Sequence, residues 1–189
     1  GIHEINDCPL IDDVFVMEEI LNSLGASTSF DRHCLTVDTG NIENTVVSSL
    51  MMSRMRSSVF LMGSLLARCG EATVHRPGGC RIGRRPIDIH IEGLRQMGFK
   101  VEFFDDEIRC SGRCRGGRVR LPYPSVGATE NLMMAALSSQ EETVIENCAL
   151  EPEIADLQGF MRNCGFDVAG AGTGTITVRG PAGSITGGK

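Results

Sequence analysis

The sequence lacks the long hydrophobic segment that a membrane-spanning protein needs. A transmembrane helix takes about 20 consecutive apolar residues, and no run in this chain approaches that length. The opening residues, GIHEINDCPLIDD, also lack the basic start and the apolar stretch of a secretory signal peptide. We therefore expect no membrane contact and a cytosolic location.

The cysteines indicate neither a disulfide framework nor a zinc site. The 189 residues include eight cysteines, but the chain is long and rich in leucine and valine. Several of these cysteines stand in apolar runs, where reduced and buried thiols are usual. Cys110 and Cys114 are separated by three residues, and no second pair follows to complete a set of four ligands. Apart from Cys80, discussed below, we expect packing roles for these thiols, and we expect no metal and no cofactor.

An excess of positive charge is also absent. The formal net charge is −6, which argues against nucleic acid as a partner. The basic residues are nevertheless concentrated in one stretch of sixteen positions, which contains His75, Arg76, Arg81, Arg84, Arg85 and His90. A cationic segment on an acidic protein suggests a small anionic ligand, although a solvated charged loop would have the same pattern.

What the sequence does contain is a threefold internal repeat. Its copies are EEILNSLGASTSFDRHCLTVDTG, EGLRQMGFKVEFFDDEIRCSG and QGFMRNCGFDVAGAGTGTITVRG. Each copy begins with an amphipathic helix that runs into a glycine, Gly25, Gly98 or Gly165, where a left-handed helix cap is favoured. Two alternating segments joined by a turn rich in Asp or Gly follow, which predicts a β-hairpin.

The second and third copies add a further helix and strand upstream. In the second copy these are a helix at roughly 46–69 and the strand ATVHR. In the third they are SVGATENLMMAALSS and ETVIENC, preceded by the strand VRL. The unit is therefore β-α-β-α-β-β, and the fold class is mixed α/β (α+β).

We predict one domain that contains three of these units. The boundaries are a partial unit at about 1–40, complete units at 41–112 and 113–180, and a linker at 181–189 to a second domain. The first unit lacks the opening strand and helix, which indicates truncation or, alternatively, a divergent first repeat. Helices packed inside and sheets facing outward would make an inside-out α/β barrel, or prism.

Residues 75–90, HRPGGCRIGRRPIDIH, contain the strongest chemical signal. A proline and two glycines at 77–79 end the preceding strand and leave a pliable loop. Cys80 lies in that loop among arginines, and nearby cations favour the reactive thiolate over the thiol. Arg85 and Pro86 then begin a helix, and a helix start flanked by arginines suits a phosphate. The segment predicts a reactive thiol beside an anion site.

The run PGGCxIGxRPxDxH resembles the catalytic loop of the UDP-N-acetylglucosamine 1-carboxyvinyltransferases, which catalyse the first committed step of bacterial peptidoglycan synthesis. Three further segments resemble the same family: MRSSVFLMGSLLAR, PSVGATENLMMAA and ENCALEPEIADL. The segments keep the family's order and spacing, and the resemblance covers nearly the whole chain.

The resemblance implies transfer of the enolpyruvyl group of phosphoenolpyruvate to the 3′-hydroxyl of UDP-N-acetylglucosamine, with release of phosphate. It implies that Cys80 is the general acid toward the methylene carbon, can form a covalent adduct, and is the target of fosfomycin. Arg56 and Arg85 would be further catalytic residues that hold phosphate and carboxylate oxygens, a task that suits guanidinium groups. The substrate-binding residues implied are Arg56, Arg85, Pro86, Ile87, Asp88, Ile89, Tyr123, Ser125, Val126 and Gly127.

The chain departs from the family pattern in three respects. Some members have a lysine where this chain has Tyr123. The family's early Lys-Asn pair has no counterpart in residues 1–40, and its catalytic aspartate comes from a second domain. We therefore expect the 189-residue chain to be inactive alone and to need that second domain as its partner, in addition to the two small-molecule substrates.

Two alternatives remain open at this point. One is an enzyme that resembles enolpyruvylshikimate-phosphate synthase, with the same phosphoenolpyruvate chemistry; the PGGC context of Cys80 and the Asp88-Ile89-His90 run favour the nucleotide-sugar enzyme instead. The other is a non-catalytic binding module of the same fold, against which Cys80, Arg56 and Arg85 argue.

Overall fold

The computed structural model describes residues 1–75 and 87–181, with the side chain of Arg56 left out. The first repeat forms β1 (Ile2–Ile5), α1 (Asp12–Ser23), β2 (Ser27–Asp31) and β3 (Cys34–Asp38). The second forms β4 (Val46–Val47), α2 (Ser49–Arg54), a 3₁₀ helix (Arg56–Phe60), α3 (Leu61–Cys69), β5 (Glu71–His75), α4 (Asp88–Gln96), β6 (Lys100–Phe104) and β7 (Glu107–Ser111). The third forms β8 (Gly117–Arg120), α5 (Val126–Ala136), β9 (Thr143–Glu146), α6 (Pro152–Asn163), β10 (Asp167–Ala169) and β11 (Thr175–Arg179).

Each repeat has its own sheet, and the strand orders correspond. The second and third sheets run β4-β5-β7-β6 and β8-β9-β11-β10, and the first runs β1-β3-β2. Strands β4 and β5 are parallel, as are β8 and β9, whereas the other pairs are antiparallel. Within the described ranges, β1 has no parallel neighbour that corresponds to β4 or β8. The predicted repeat is thus confirmed in strand order.

The three predicted capping glycines lie at equivalent helix ends. Gly25, Gly98 and Gly165 have φ of 104°, 94° and 94°, and each donates its N–H to the carbonyl three residues back. The following residue bonds to the carbonyl five residues back in all three copies, as in Ala26 to Leu21. This is the Schellman pattern, and it turns each helix into the first strand of its hairpin.

The prediction of one helix over 46–69 was wrong. A short strand, α2, the 3₁₀ helix and α3 occupy this stretch, and Met55 between α2 and the 3₁₀ helix is extended, with φ of −136° and ψ of 121°. The hydroxyl of Ser58 donates to the carbonyl oxygen of Met55 at 2.5 Å. Serine hydroxyls compete in this way with the backbone bonds of a helix, and the break allows both Met52 and Met55 to be buried.

The interior of the protein is centred on α5. Its buried residues lie on all sides of the helix, and α5 contacts α3, α4, α6 and β9. A helix that is apolar all round belongs in a core. Over the described residues, no helix is both long enough and apolar enough to cross a membrane.

The approach of α3 to α5 is unusually close. A Cβ atom on Gly63 of α3 would lie 2.2 Å from the backbone oxygen of Asn131 in α5. Real Cβ atoms do not come that near to another heavy atom, so only glycine permits this contact. The close approach fixes the spacing between α3 and α5, and the candidate site lies beside these helices.

Candidate ligand site at the starts of two helices

Over residues 1–75 and 87–181, the start of α5 presents backbone donors that have no acceptor. Ser125 is the N-cap: its side chain accepts from the N–H of Ala128 at 3.4 Å, and its carbonyl accepts from the N–H of Thr129 at 2.9 Å. The N–H groups of Val126 and Gly127 lie in the first turn, where a helix offers no intrahelical acceptor. Together with the positive end of the helix dipole, this start can bind an oxygen of an anionic ligand.

The start of α4 lies after the undescribed 76–86 segment. Ile87 is the N-cap, and its carbonyl accepts from the N–H groups of His90 and Ile91 at 3.0 and 3.1 Å. Asp88 is exposed in the first turn, where a carboxylate complements the helix dipole. Ile89 is buried and anchors this turn in the core.

These two helix starts meet at Gly127. A Cβ atom there would lie 2.6 Å from Cε1 of Phe60, at the end of the 3₁₀ helix, and 3.6 Å from Cε1 of His90 in α4. The absence of a side chain on Gly127 therefore lets the backbone of α5 pack directly against both aromatic rings. Three stretches that are distant in sequence converge at this point.

A buried polar chain ties α3, α4 and α5 together behind that junction. The N–H of Gly63 donates to Oδ1 of Asn131 at 2.7 Å, and Nδ2 of Asn131 lies 3.1 Å from Nδ1 of His90. Asn131 is fully buried and His90 nearly so. Burial lowers the pKa of His90 to about 4 from its ordinary value of 6.5, so the ring is neutral near neutral pH.

Some predicted site residues fall outside the described part of the chain. Cys80, Arg85 and Pro86 lie in the undescribed segment, and Arg56 begins the 3₁₀ helix with its side chain not described. Their assignments remain predictions.

The other predicted site residues are brought to one region. Ile87, Asp88 and Ile89 form the start of α4, whereas Ser125, Val126 and Gly127 form the start of α5. Tyr123 is half exposed on the connection that leads into α5. Among residues 1–75 and 87–181, no three His, Cys, Asp or Glu side chains are grouped so that they could hold a metal ion.

Sequence reasoning missed Asn131 and Gly63. The available signal for Asn131 was a lone amide in the otherwise apolar run NLMMAAL. A polar residue at an interior helix position needs a partner. The identity of that partner, 68 residues away, could not be deduced without the fold.

Comparison with known proteins gives one family. The family model described as EPSP synthase (3-phosphoshikimate 1-carboxyvinyltransferase) matches residues 1–187. The chain is 46% identical to UDP-N-acetylglucosamine 1-carboxyvinyltransferase 2 of Caldanaerobacter subterraneus subsp. tengcongensis, over 95% of this chain and 43% of that protein. It is 41% identical to UDP-N-acetylglucosamine 1-carboxyvinyltransferase of Finegoldia magna, over 93% of this chain and 42% of that protein. The chain thus spans less than half the length of these relatives.

Solved structures share the fold. The enolpyruvyl transferase NikO from Streptomyces tendae superposes with a TM-score of 0.80 at 21% identity, over 95% of this chain and 43% of that one. An EPSP synthase from Acinetobacter baumannii superposes with a TM-score of 0.71 at 16% identity, over 100% of this chain and 43% of that one. At these identities the likeness establishes the fold, and the mixed α/β class predicted from the repeats is confirmed.

Proposed function

The chain belongs to the EPSP synthase (3-phosphoshikimate 1-carboxyvinyltransferase) family, and from that premise we propose that it is part of a UDP-N-acetylglucosamine 1-carboxyvinyltransferase. The intact enzyme would transfer the enolpyruvyl group of phosphoenolpyruvate to the 3′-hydroxyl of UDP-N-acetylglucosamine and release phosphate. The choice of acceptor is supported by the names of relatives at 39–46% identity. The alternative acceptor, a shikimate phosphate, has less support.

The structural observation behind this proposal is the junction at Gly127. The RPIDI and SVG stretches, which resemble the family's nucleotide-sugar site, lead into α4 and α5, and the packing around Gly127 makes these helix starts neighbours. One extended ligand could therefore contact both. Free N–H groups at a helix start suit its phosphate oxygens.

The chemistry assigned to the chain's own residues follows the family resemblance. The thiol of Cys80 would protonate the methylene carbon of phosphoenolpyruvate while the 3′-oxygen of the sugar attacks the adjacent carbon. A carboxylate from the second domain would take the hydroxyl proton. Loss of a proton from the new methyl group, with departure of phosphate, restores the vinyl ether. Arg56 and Arg85 would hold the phosphate and carboxylate oxygens during these steps.

We also propose that other parts of the protein complete the first unit. In the described ranges β1 has one free edge, and the first repeat has no counterpart to α3 and α5. An open cavity of about 290 Å³ runs between α1, α3, α5 and α6. It is lined by Met17, Phe60, Leu61, Ser64, Glu130, Met134 and Leu157.

The expected occupants are a strand parallel to β1 and an apolar helix in this cavity. Burial, and to a lesser degree Glu153, raises the pKa of Glu130, so a basic residue on that helix would be favoured.

The strand is tested by the exchange of the β1 amides with solvent. The amides of His3 and Ile5 face β3, because Thr39 bonds to the Gly1 carbonyl and hydrogen-bonded pairs alternate. The amides of Ile2 and Glu4 therefore face the free edge. In the full-length protein they should exchange with solvent as slowly as those of His3 and Ile5. If the amides of Ile2 and Glu4 exchange as fast in the full-length protein as in the 189-residue chain, no further strand pairs with β1.

The function is tested by acceptor choice. The full-length protein, expressed from the parent gene, should release phosphate from phosphoenolpyruvate when UDP-N-acetylglucosamine is added. Shikimate 3-phosphate should give no release above background. The 189-residue chain should be inactive with either acceptor, because a positioned acid or base contributes about 10²–10⁴-fold and the second domain would supply one. Turnover with shikimate 3-phosphate, or with neither acceptor, would refute the proposal.

The role of Cys80 is tested by two substitutions in the full-length enzyme. Cys80→Asp keeps a group that can donate a proton and should retain partial turnover. The mass of this variant should no longer increase on treatment with fosfomycin, because the thiol that would be alkylated is gone. Cys80→Ala should lose both turnover and labelling. Cys69→Ala is the matched control, because Cys69 lies at the end of α3 and is not part of the 75–90 segment. Full activity of Cys80→Ala would show that Cys80 is not the acid.

A further inference from the structure

The polar chain behind the junction determines which nitrogen of His90 carries the proton. The N–H of Gly63 can only donate, so the atom of Asn131 that lies 2.7 Å from it must be the carbonyl oxygen. The amide nitrogen of Asn131 therefore faces Nδ1 of His90, at 3.1 Å. An amide nitrogen donates and cannot accept, so Nδ1 must be the acceptor and the proton must lie on Nε2.

The packing prevents the side-chain amide of Asn131 from adopting the opposite orientation. Asn131 has no exposed surface, and rotating its amide by half a turn would place NH₂ against the Gly63 N–H. Two donors would then face each other in the core, which leaves both groups unsatisfied at high cost. The close approach of α3 and α5 at Gly63 leaves little room for either helix to move away. The orientation of Asn131 is thus set by the backbone of α3.

The ring of His90 packs against the start of α5, where the candidate site lies. Cε1 of His90, which lies between the two ring nitrogens, is 3.6 Å from the position of a Cβ on Gly127. His90 follows directly after the Asp88 and Ile89 positions at the start of α4.

We propose that Asn131 is a positioning residue that fixes His90 in the Nε2–H form, so that His90 donates a hydrogen bond to the nucleotide-sugar substrate at the junction of α4 and α5. The substrate part of this inference rests on the proposed function. The tautomer part rests only on the contacts of Gly63, Asn131 and His90. Burial lowers the pKa of His90 to about 4, so the ring is in a neutral form, as either tautomer requires.

The tautomer is measured on the full-length protein. In ¹⁵N-histidine-labelled protein at pH 7, the His90 ring, assigned by its loss in His90→Asn, should show a protonated Nε2 and an unprotonated Nδ1. In Asn131→Asp, a carboxylate can still accept from Gly63 but cannot donate to Nδ1, so Nδ1 should become protonated. A protonated Nδ1 in the unsubstituted chain, or an unprotonated Nδ1 in a folded Asn131→Asp, would overturn the assignment. If Asn131→Asp does not fold, the spectrum of the unsubstituted chain decides alone.

The role toward substrate is measured on the full-length enzyme with a pair of variants. His90→Gln can place an amide donor near the position of Nε2, whereas His90→Asn places an acceptor near Nδ1 and leaves Nε2 without a replacement. We expect His90→Asn to raise KM for UDP-N-acetylglucosamine about tenfold, as loss of one hydrogen bond does, with KM for phosphoenolpyruvate nearly unchanged. His90→Gln should show a smaller increase.

A purely structural role for His90 predicts the reverse order, because His90→Asn preserves the bond to Asn131. That order, or equal effects on both KM values, would overturn the substrate contact. If the enzyme with its native sequence does not use UDP-N-acetylglucosamine at all, the proposed function and the substrate contact both fail. The tautomer measurement would still decide the assignment to Asn131.

Discussion

Replacing Gly63 by alanine should destabilise the protein, although alanine is the better helix former. The new Cβ would lie 2.2 Å from the backbone oxygen of Asn131 and 2.6 Å from its Oδ1. The nearer atom belongs to the backbone of a buried helix, so the strain cannot be relieved by turning one side chain. The substitution must push α3 away from α5 and lengthen the Gly63 to Asn131 hydrogen bond.

The magnitude follows from opposing contributions. Overpacking a core typically costs ~1–3 kcal/mol, and leaving a buried acceptor unpaired costs ~1–3 kcal/mol. The gain in helix propensity from glycine to alanine is at most ~1 kcal/mol. We therefore expect the free energy of unfolding to fall by about 2–4 kcal/mol.

The assay is urea unfolding of the chain followed by circular dichroism at 222 nm, with Gly159→Ala as the matched control. Gly159 is also inside a helix, α6, but it is exposed and no atom lies within 4 Å of its Cβ position. That control should gain up to ~1 kcal/mol from helix propensity alone. If Gly63→Ala is as stable as Gly159→Ala, the close approach of α3 and α5 is not as described.

Three further predictions concern charge and thiol chemistry. Because the folded pKa of His90, about 4, is below its ordinary value of 6.5, the unfolded state binds more protons between these values. His90 should therefore reduce stability by up to ~3 kcal/mol as the pH falls from 6.5 to 4, and His90→Gln should remove this difference in urea unfolding. Burial raises the pKa of Cys110 to about 12 and that of Cys148 to about 11. At pH 8 iodoacetamide should modify both only slowly unless urea is present, as measured by peptide mass spectrometry, and fast native labelling would contradict their burial. Arg54 and Glu19 form an ion pair that is roughly half exposed, so Arg54→Ala should leave the urea unfolding midpoint almost unchanged, and a clear loss of stability would indicate a structural role for this pair.

The repeat could be predicted from sequence because its signals are local. A glycine after an amphipathic helix specifies a left-handed cap whatever the tertiary surroundings, and Gly25, Gly98 and Gly165 all have it. The helix starts were also marked locally, by Asp12, Asp88 and Pro152. The break at Met55 was not marked by that residue, since methionine favours helices. The extended backbone there goes with the hydroxyl bond from Ser58 and with the burial of Met52 and Met55.

The candidate site was predictable in composition but not in its internal support. The RPIDI and SVG stretches could be identified because their residue types suit an anionic ligand and resemble a known motif. The contact of Gly127 with Phe60 and His90 joins stretches far apart in the chain, and no local pattern encodes it. The same holds for the bond between Gly63 and Asn131, which exists only once α3 and α5 are packed.

The burial of α5 determines how ligand binding would change the stability of the protein. The residues that start this helix offer the free donors, while the rest of it forms the centre of the core. A ligand held by Val126 and Gly127 is therefore attached to the element whose loss is equivalent to global unfolding. By mass action, a ligand at 100 times its Kd adds about 2.7 kcal/mol to the stability of the folded state. Occupancy at this end of α5 should raise the melting temperature of the whole domain rather than only order the surface around it.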